Sequence, residues 1–101
     1  MEHTLSSKQR KYLKSQANPL RALVQVGKSG VTEECVQSVA LALEHHELLK
    51  IKFIAHKEEK EQFIDPILQK TGSHFVSMIG HVLTIYREHE EKEKQKYQLP
   101  R

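Results

Sequence analysis

The chain has 101 residues, of which 38% are hydrophobic and 6% aromatic, and a formal net charge of +3 with a pI of about 9.0. This length fits one domain with one core and is too short for two. No apolar run approaches the ~20 residues of a membrane helix, and the first fifteen residues hold bases but no apolar signal core, which argues against membrane insertion and export.

The first predicted helix begins at a capping signal. Residues 6–9, Ser-Ser-Lys-Gln, fit a capping box, in which a serine hydroxyl accepts an early backbone N–H and the glutamine reaches back to the cap. The helix should end at Asn18, because the residue before a proline is pushed out of the α region. Its predicted inward side chains are Tyr12, Leu13 and Ala17.

A short strand, a glycine turn and a second helix follow directly. Residues 22–26 are apolar and β-branched and stop at Gly27, which predicts a strand, central in its sheet. The turn Gly27-Lys28-Ser29-Gly30 comes next, and Thr32 is a good N-cap for a helix. The apolar positions of that helix follow the i, i+3, i+4, i+7 spacing and are Val36, Val39, Ala40 and Leu43.

The next two predicted elements are a strand and an interrupted helix. Residues 48–54 alternate apolar side chains with lysines, which is typical of a half-exposed strand with lysines on its open face. Residues 58–70 have helical apolar spacing, but Pro66 must either kink this helix or start its second half at Asp65. Gly72 is the predicted C-terminal cap.

Two strands joined by a tight turn complete the predicted fold. Residues 75–79 and 82–86 are apolar runs separated by Gly80-His81, a connection short enough for a hairpin. The order αβαβαββ predicts one compact α/β domain with a four-stranded mixed sheet and three helices. We expect this domain to cover residues 1–87, and the charged residues 88–101 to form a mobile or loosely helical tail.

The Gly27-Lys28-Ser29-Gly30 turn is the candidate binding site. Glycines between a strand and a helix permit positive φ and let a ligand's backbone approach, while amides at the helix N-terminus attract an anion. Lys28 adds a positive charge, and Ser29 adds a hydroxyl that can bond a phosphate or a 2′-OH. A KH-like Gly-x-x-Gly loop of this kind clamps the backbone of single-stranded RNA, and a plain tight turn is the alternative.

Positive charge is concentrated near this turn. Residues 1–30 contain six Lys or Arg and one acid, whereas residues 31–101 contain ten bases and twelve acids. A basic surface beside a glycine turn attracts a polyphosphate, and a solvated helix face is the alternative for these bases. The candidate RNA-binding residues of the first helix are Lys8, Arg10, Lys11 and Lys14.

Aromatic side chains for base stacking are scarce. The three phenylalanines fit core positions, and the rings left to contact a base are Tyr12, Tyr86 and Tyr97. We therefore expect RNA affinity to come mainly from phosphate contacts.

No residue pattern indicates an enzyme. The seven histidines show no metal-ligand spacing with a third partner, and the acids at 58–61 suit a helix dipole better than acid/base catalysis. Cys35 has no partner for an internal disulfide and fits a small buried side chain better than a nucleophile. We predict no catalytic residue, metal site or cofactor, and a cytoplasmic monomer.

Five segments of the chain resemble one known family. They are LSSKQRKYLK at 5–14, NPL at 18–20, VQVGKSGVT at 24–32, LEHHEL at 43–48 and VSMIGHVLTIYR at 76–87. They are similar to the CRM domain (chloroplast RNA splicing and ribosome maturation), in particular to the stand-alone bacterial YhbY-type proteins. The closing Leu99-Pro100-Arg101 is also similar to that group, whereas Asn18 stands where many members have histidine.

The resemblance implies an RNA-binding domain related in fold to the C-terminal domain of bacterial initiation factor three. It also implies association with precursors of the large ribosomal subunit. The RNA contacts that it implies, through the Gly-x-x-Gly loop, fall on Gly27, Lys28, Ser29 and Gly30.

Two functions of different classes follow from the sequence. The first is an RNA-binding ribosome assembly factor. The second is a protein-interaction module on ribosomal particles, in which the lysine face of the sheet and the charged tail bind a protein without direct RNA contact.

Overall fold

Local signals start the first two helices where the sequence predicts them. The computed structural model describes residues 5–101, and helix α1 is Ser7–Ala17. The Ser6 hydroxyl accepts the amide of Gln9 at 3.1 Å, and the Ser6 amide donates to the Gln9 side chain at 3.0 Å, which completes the capping box. Helix α2 is Glu33–His46, and the Thr32 hydroxyl caps it.

The four strands form one mixed sheet. They are β1 (Val24–Val26), β2 (Leu48–Phe53), β3 (His74–Ile79) and β4 (Val82–Tyr86). Their order is β1-β2-β4-β3, with β1 parallel to β2 and the other two pairs antiparallel. The predicted α/β fold, its element order and its terminal hairpin are therefore confirmed.

The position predicted for the first strand is wrong. We expected it to be central, but β1 pairs only with β2 and forms an edge of the sheet. Val24 and Val26 are buried while Gln25 is exposed. The two valines are apolar because they pack in the core on the α2 side, and not because the strand lies between two others. A short β-branched sequence is compatible with either a central or an edge strand, so the sequence does not distinguish the two.

Pro66 divides the helix predicted over residues 58–70. A 3₁₀ turn covers Lys60–Phe63, and α3 is Ile64–Thr71. Pro66 is the third residue of α3, where a backbone amide would have no partner within the helix, so proline is tolerated there. Gly72 ends the helix with a φ of +66°, as predicted.

Helices cover both faces of the sheet. Along β2, Leu48 packs on the α1 side with Leu13, whereas the next residue, Leu49, packs on the α2–α3 side with Leu43 and Ile67. These two layers hold the two core clusters of the domain. None of the helices in residues 5–101 is long and apolar enough to span a bilayer.

The chain after β4 packs against the domain. Tyr97 and Leu99 lie against the core cluster under α1, and the side-chain amide of Gln9 donates to the Pro100 carbonyl at 3.1 Å. The prediction of a mobile or loosely helical tail missed these contacts. Two apolar side chains without periodicity leave no helical or strand pattern for sequence reasoning to detect.

A buried carboxylate holds this tail in place. Glu47 follows α2 with a φ of +62° and is 1% exposed. Its two carboxylate oxygens accept the backbone amides of His89, at 2.7 Å, and of Lys96. Its backbone carbonyl accepts the amide of Arg87 at 2.8 Å. Buried carboxylates are stabilised by such amide donors, so Glu47 ties α2 to the tail.

Candidate functional site

The Gly27–Gly30 loop is a tight turn at one end of the sheet. The Gly30 amide donates to the Gly27 carbonyl at 3.0 Å, and Gly30 has a φ of +74°, which glycine adopts without strain. The side chains of Lys28 and Ser29 between them are exposed. The loop therefore presents a cation and a hydroxyl to solvent directly before α2.

Not every amide near the loop is free for a ligand. The Gly30 amide closes the turn, the Thr32 amide donates to the Gly30 carbonyl at 3.2 Å, and the Cys35 amide donates to the Thr32 hydroxyl at 3.1 Å. Among residues 5–101, no hydrogen bond uses the amides of Lys28 and Ser29. The expected anion site is therefore narrower than the whole helix N-terminus and centres on the tip of the turn.

Side chains from the segment after β2 support the loop from behind. The His56 Nε2 atom lies 2.7 Å from the Lys28 carbonyl oxygen, and its Nδ1 lies 3.4 Å from a Glu59 carboxylate oxygen. The His56 ring packs edge-on against Phe63, with 5.5 Å between centroids. Phe63 in turn stacks on Phe53 of the core. The loop is thus connected to the hydrophobic core through two aromatic rings.

More lysines surround this end of the sheet. The Lys60 ammonium donates to the Lys57 carbonyl at 3.3 Å and to the His81 Nδ1 at 3.2 Å. Desolvation, followed by the charges of Lys60 and Lys57, lowers the pKa of His81. The neutral imidazole can then accept the hydrogen bond from the Lys60 ammonium without charge repulsion.

Helix α1 leaves part of its sheet face open, next to the loop. Along β2 the side chains on this face are Leu48, which is buried, Lys50, which is half-buried, and Lys52, which is exposed. Phe53 pairs with Val26, the residue before Gly27, so Lys52 lies beside the loop end of the sheet. The uncovered face therefore extends from α1 towards the Gly27–Gly30 loop.

A groove runs between α1 and this open face, and we call it the α1 groove. Residues that line it include Lys11, Lys14, Lys50, Ser77, Ile79 and Thr84. All of its charged lining residues are lysines, and hydroxyl groups lie among them. Such a surface suits an anionic polymer that accepts hydrogen bonds.

The structure separates the four predicted bases of α1. Lys11 and Lys14 line the α1 groove, while Lys8 and Arg10 each lie one turn earlier and outside its lining. The Arg10 guanidinium donates to the Leu5 carbonyl at 3.5 Å and is half-buried. The geometry thus favours Lys11 and Lys14 over Lys8 and Arg10 as contacts for a ligand in the groove.

Within residues 5–101, acidic residues are absent from α1 and from the strands of the sheet. The acids are confined to α2 and its cap, the segment before and into α3, and the tail: Glu33, Glu34, Glu44, Glu47, Glu58, Glu59, Glu61, Asp65, Glu88, Glu90, Glu91 and Glu93. Among the helices and strands, α1 and the strands thus carry bases without acids, while four of the twelve acids lie in the tail.

The bases of the sheet face that bears α1 are not neutralised by neighbouring acids. The ion pairs among residues 5–101 are His56–Glu59, Arg87–Glu44 and Lys94–Glu91. None of them involves Lys11, Lys14, Lys28 or Lys52. A cation without an acidic partner keeps its charge available for a polyanion.

The aromatic residues offer less to a base than the sequence predicted. Tyr86 is 1% exposed, so its ring lies inside the domain and the expectation that it could reach a base is wrong. Tyr12 and Tyr97 are half-buried against the core cluster under α1. Phe53 is buried, and Phe63 and Phe75 pack against the main core, as expected.

The remaining candidate groups form no reactive constellation. No group of three metal-ligating side chains occurs within the described residues. Cys35 packs half-buried against the core, and burial raises the pKa of its thiol, which disfavours the nucleophilic thiolate. His45 and His46 lie in the last turn of α2, where the helix dipole favours positive charge.

Sequence reasoning missed His56 and the role of Lys50. His56 acts on a residue 28 positions earlier, and neither periodicity nor spacing reveals such a contact. The alternation of lysines in β2 predicts that Lys50 faces outwards. It does not reveal that α1 packs beside Lys50.

Comparisons with known proteins identify the family of the chain. The family model of the CRS1 / YhbY (CRM) domain matches residues 5–87. A Haemophilus influenzae protein named "RNA-binding protein" is 42% identical over 99 residues, which are 97% of this chain and 97% of the relative. A Bacillus subtilis protein named "Probable RNA-binding protein YqeI" is 33% identical over 97 residues, which are 95% of this chain and 99% of the relative.

A solved structure has the same fold. The solution structure of a Staphylococcus aureus protein superposes with a TM-score of 0.81 at 31% sequence identity. The match covers 96% of this chain and 100% of that one. The two chains therefore share the arrangement of helices and strands over nearly their whole length.

Proposed function

Because the chain belongs to the CRS1/YhbY (CRM) domain family, as its sequence segments predict, we propose that it is an RNA-binding ribosome assembly factor. In this proposal it holds RNA through the Gly27–Gly30 loop and the basic face that bears α1. The relatives named as RNA-binding proteins support the general class. The particular contacts rest on the geometry of this chain.

The lack of acids on α1 and on the strands is the main support for the proposal. The α1 groove has lysines as its only charged lining residues, none of them in an ion pair among residues 5–101, and the exposed loop carries a further lysine. Protein surfaces that bind nucleic acid have this concentration of cations on one side. A protein partner would require complementary acids on its own surface, and an RNA backbone supplies negative charge at every nucleotide.

Each residue of the loop has a distinct role in the proposed complex. Gly27 and Gly30 let the RNA backbone approach the turn, since neither carries a side chain. Lys28 pairs with a phosphate, and the Ser29 hydroxyl bonds a phosphate oxygen or a 2′-OH. The two amides at the tip donate to the same backbone. No covalent step is involved, and binding alone constitutes the activity.

Helix α1 extends the contact along the same face. Lys11 and Lys14 bind phosphates across the α1 groove, and Lys52 bridges the distance to the loop. Lys8 and Arg10 contribute at the margin, because they lie a turn outside the groove.

The proposed partner is a precursor particle of the large ribosomal subunit. This part of the proposal rests on the family resemblance of the sequence. The expectations of a cytoplasmic location and of a monomer belong to the same proposal.

The decisive experiment is crosslinking in growing cells, with the RNA then sequenced. Enrichment of large-subunit ribosomal RNA, lost in a Lys28→Glu variant and kept in a Lys70→Glu variant, is the expected result. Lys70 is an exposed base in the last turn of α3, on the opposite face of the sheet, and is the matched control. If the protein stays on ribosomal particles after nuclease treatment and yields no crosslinked RNA, the protein-interaction module is correct instead.

A further inference from the structure

A second groove lies at the far end of the sheet from the Gly27–Gly30 loop. We call it the tail groove, and residues that line it include Leu20, Arg21, Leu23, Lys50, Lys96 and Tyr97. One wall is the connection between α1 and β1, and the other is the docked tail. Its volume of about 330 Å³ lies within the range of small-ligand sites.

Both walls of the tail groove are held in place. The Lys50 ammonium donates to the carbonyls of Asn18, at 3.4 Å, and Leu20, at 3.2 Å, which fixes the α1–β1 connection. The Lys96 amide donates to the buried Glu47 carboxylate. The Tyr97 ring packs edge-on against Tyr86, with 6.5 Å between centroids. The groove is therefore formed before any ligand arrives.

The tail groove combines apolar surface with positive charge. Leu23 is 57% exposed and Leu20 is 37% exposed, so both present apolar surface to the groove. Besides the Tyr97 phenol, the ionisable groups in its lining are basic: Arg21, His46, Lys50 and Lys96. None of the ion pairs within residues 5–101 involves any of these four.

This combination matches the chemistry of an unpaired nucleotide. A nucleobase has a flat apolar face that packs on leucine or tyrosine, and its phosphate pairs with arginine or lysine. A base within a duplex is stacked and paired and cannot enter. An acidic protein segment would satisfy the cations, but RNA is favoured because Lys50 lines both this groove and the α1 groove.

We propose that the tail groove holds an unpaired nucleotide of the same RNA that the Gly27–Gly30 loop contacts. This inference rests on the proposed function. From Leu23 to Gly27 the chain advances four residues, roughly 13 Å at the rise of a strand, so one RNA strand of a few nucleotides reaches both sites. The RNA must then be single-stranded where it passes the start of β2.

The test compares binding of single-stranded and duplex RNA. The probes are a fluorescent oligouridine and the same strand annealed to oligoadenosine. The groove variant is Arg21→Ser with Leu23→Ser, and the control is Leu41→Ser with Lys70→Ser, two exposed positions on the other face. We expect the groove variant to bind the single strand at least tenfold more weakly, with duplex binding and melting temperature unchanged and the control like wild type.

Photocrosslinking gives an independent readout. With 4-thiouridine in the single strand, we expect a crosslink in the tryptic peptide 97–101, which contains Tyr97 but no residue of the Gly27–Gly30 loop. Crosslinks confined to other peptides, or wild-type affinity in the groove variant, would overturn the tail-groove proposal alone. If the wild-type protein binds neither the single strand nor the duplex, the proposed function itself fails.

Discussion

His56 and Lys28 are joined by a contact of 2.7 Å between the imidazole Nε2 and the backbone carbonyl oxygen. A carbonyl only accepts, so the hydrogen is on Nε2 in this contact. His56 adopts a φ of +56°, a conformation that is uncommon for residues other than glycine. The contact leaves the Lys28 side chain pointing to solvent while its backbone is held from behind.

Replacing His56 with alanine should loosen the loop without unfolding the domain. The change removes the hydrogen bond to Lys28 and the ring contact with Phe63, which together correspond to roughly 1–2 kcal/mol of unfolding free energy at this half-exposed position. We expect faster hydrogen exchange at the Gly30 amide, which closes the turn, and RNA affinity reduced several-fold. Amide exchange followed by NMR measures the first and fluorescence anisotropy the second.

The control for this variant is His45→Ala, at an exposed position in the last turn of α2. It should leave both the loop exchange and the RNA affinity unchanged. Identical loop exchange in wild type and His56→Ala would show that the contact does not hold the loop.

RNA affinity should depend steeply on salt. If Lys28 and three or four bases around α1 each meet a phosphate, the slope of log affinity against log salt is roughly −3 to −4. Lys28→Gln should make this slope shallower by about 0.7 to 0.9, because one phosphate contact is lost. Titrations at several salt concentrations measure the slopes, with Lys70→Gln expected to match wild type. A slope near zero would contradict binding through the backbone.

Glu47→Gln should release the tail. The amide group of glutamine keeps one acceptor oxygen but turns an NH₂ towards the second backbone amide, so one of two charged hydrogen bonds is lost and a repulsive contact appears. We expect a loss of about 2 kcal/mol of unfolding free energy and faster proteolysis within residues 88–101. Urea unfolding and limited proteolysis measure the two effects.

The matched control is Glu90→Gln, since Glu90 is exposed in the same tail. Its stability and proteolysis pattern should match those of wild type. Equal cleavage of the tail in wild type and Glu47→Gln would mean that the carboxylate does not anchor it.

Tyr86→Phe should be tolerated at neutral pH and should protect the fold at alkaline pH. The Tyr86 hydroxyl is buried and finds no hydrogen-bond partner among residues 5–101, so its removal relieves a desolvated group. Burial, and then the charge of Glu47, raises the pKa of this phenol. Only the unfolded chain then loses the proton near the ordinary tyrosine value of about 10, and wild-type stability falls as the pH rises above it.

Urea unfolding at about pH 8 and about pH 11 checks this expectation. The variant should lose less stability between the two conditions than wild type does. The explanation is wrong if Tyr86→Phe and wild type lose stability equally.

The fold could be predicted because its signals are local. The capping box at Ser6, the N-cap at Thr32 and the left-handed Gly72 each depend on residues within four positions. The hairpin at Gly80-His81 depends on two adjacent apolar runs. The edge position of β1 could not be predicted, because the choice of neighbouring strand is made by contacts between distant parts of the chain.

The candidate site was predictable only in part for the same reason. Charge and glycine spacing indicated the loop and the bases of α1. The support from His56 and the burial of Glu47 depend on contacts 28 or more residues apart. The docking of the tail depends on Tyr97 and Leu99, two isolated apolar residues without a helical or strand spacing.

The absence of acids from α1 and the strands has a consequence for how the molecule approaches its ligand. Because α1 and the strands carry bases without acids, the charge of the protein is distributed unevenly although its net value is small. In the field of a polyanion such a body rotates before it touches, so that productive encounters outnumber random ones. In the proposed complex, this uneven charge favours the orientation in which α1 and the Gly27–Gly30 loop face the RNA.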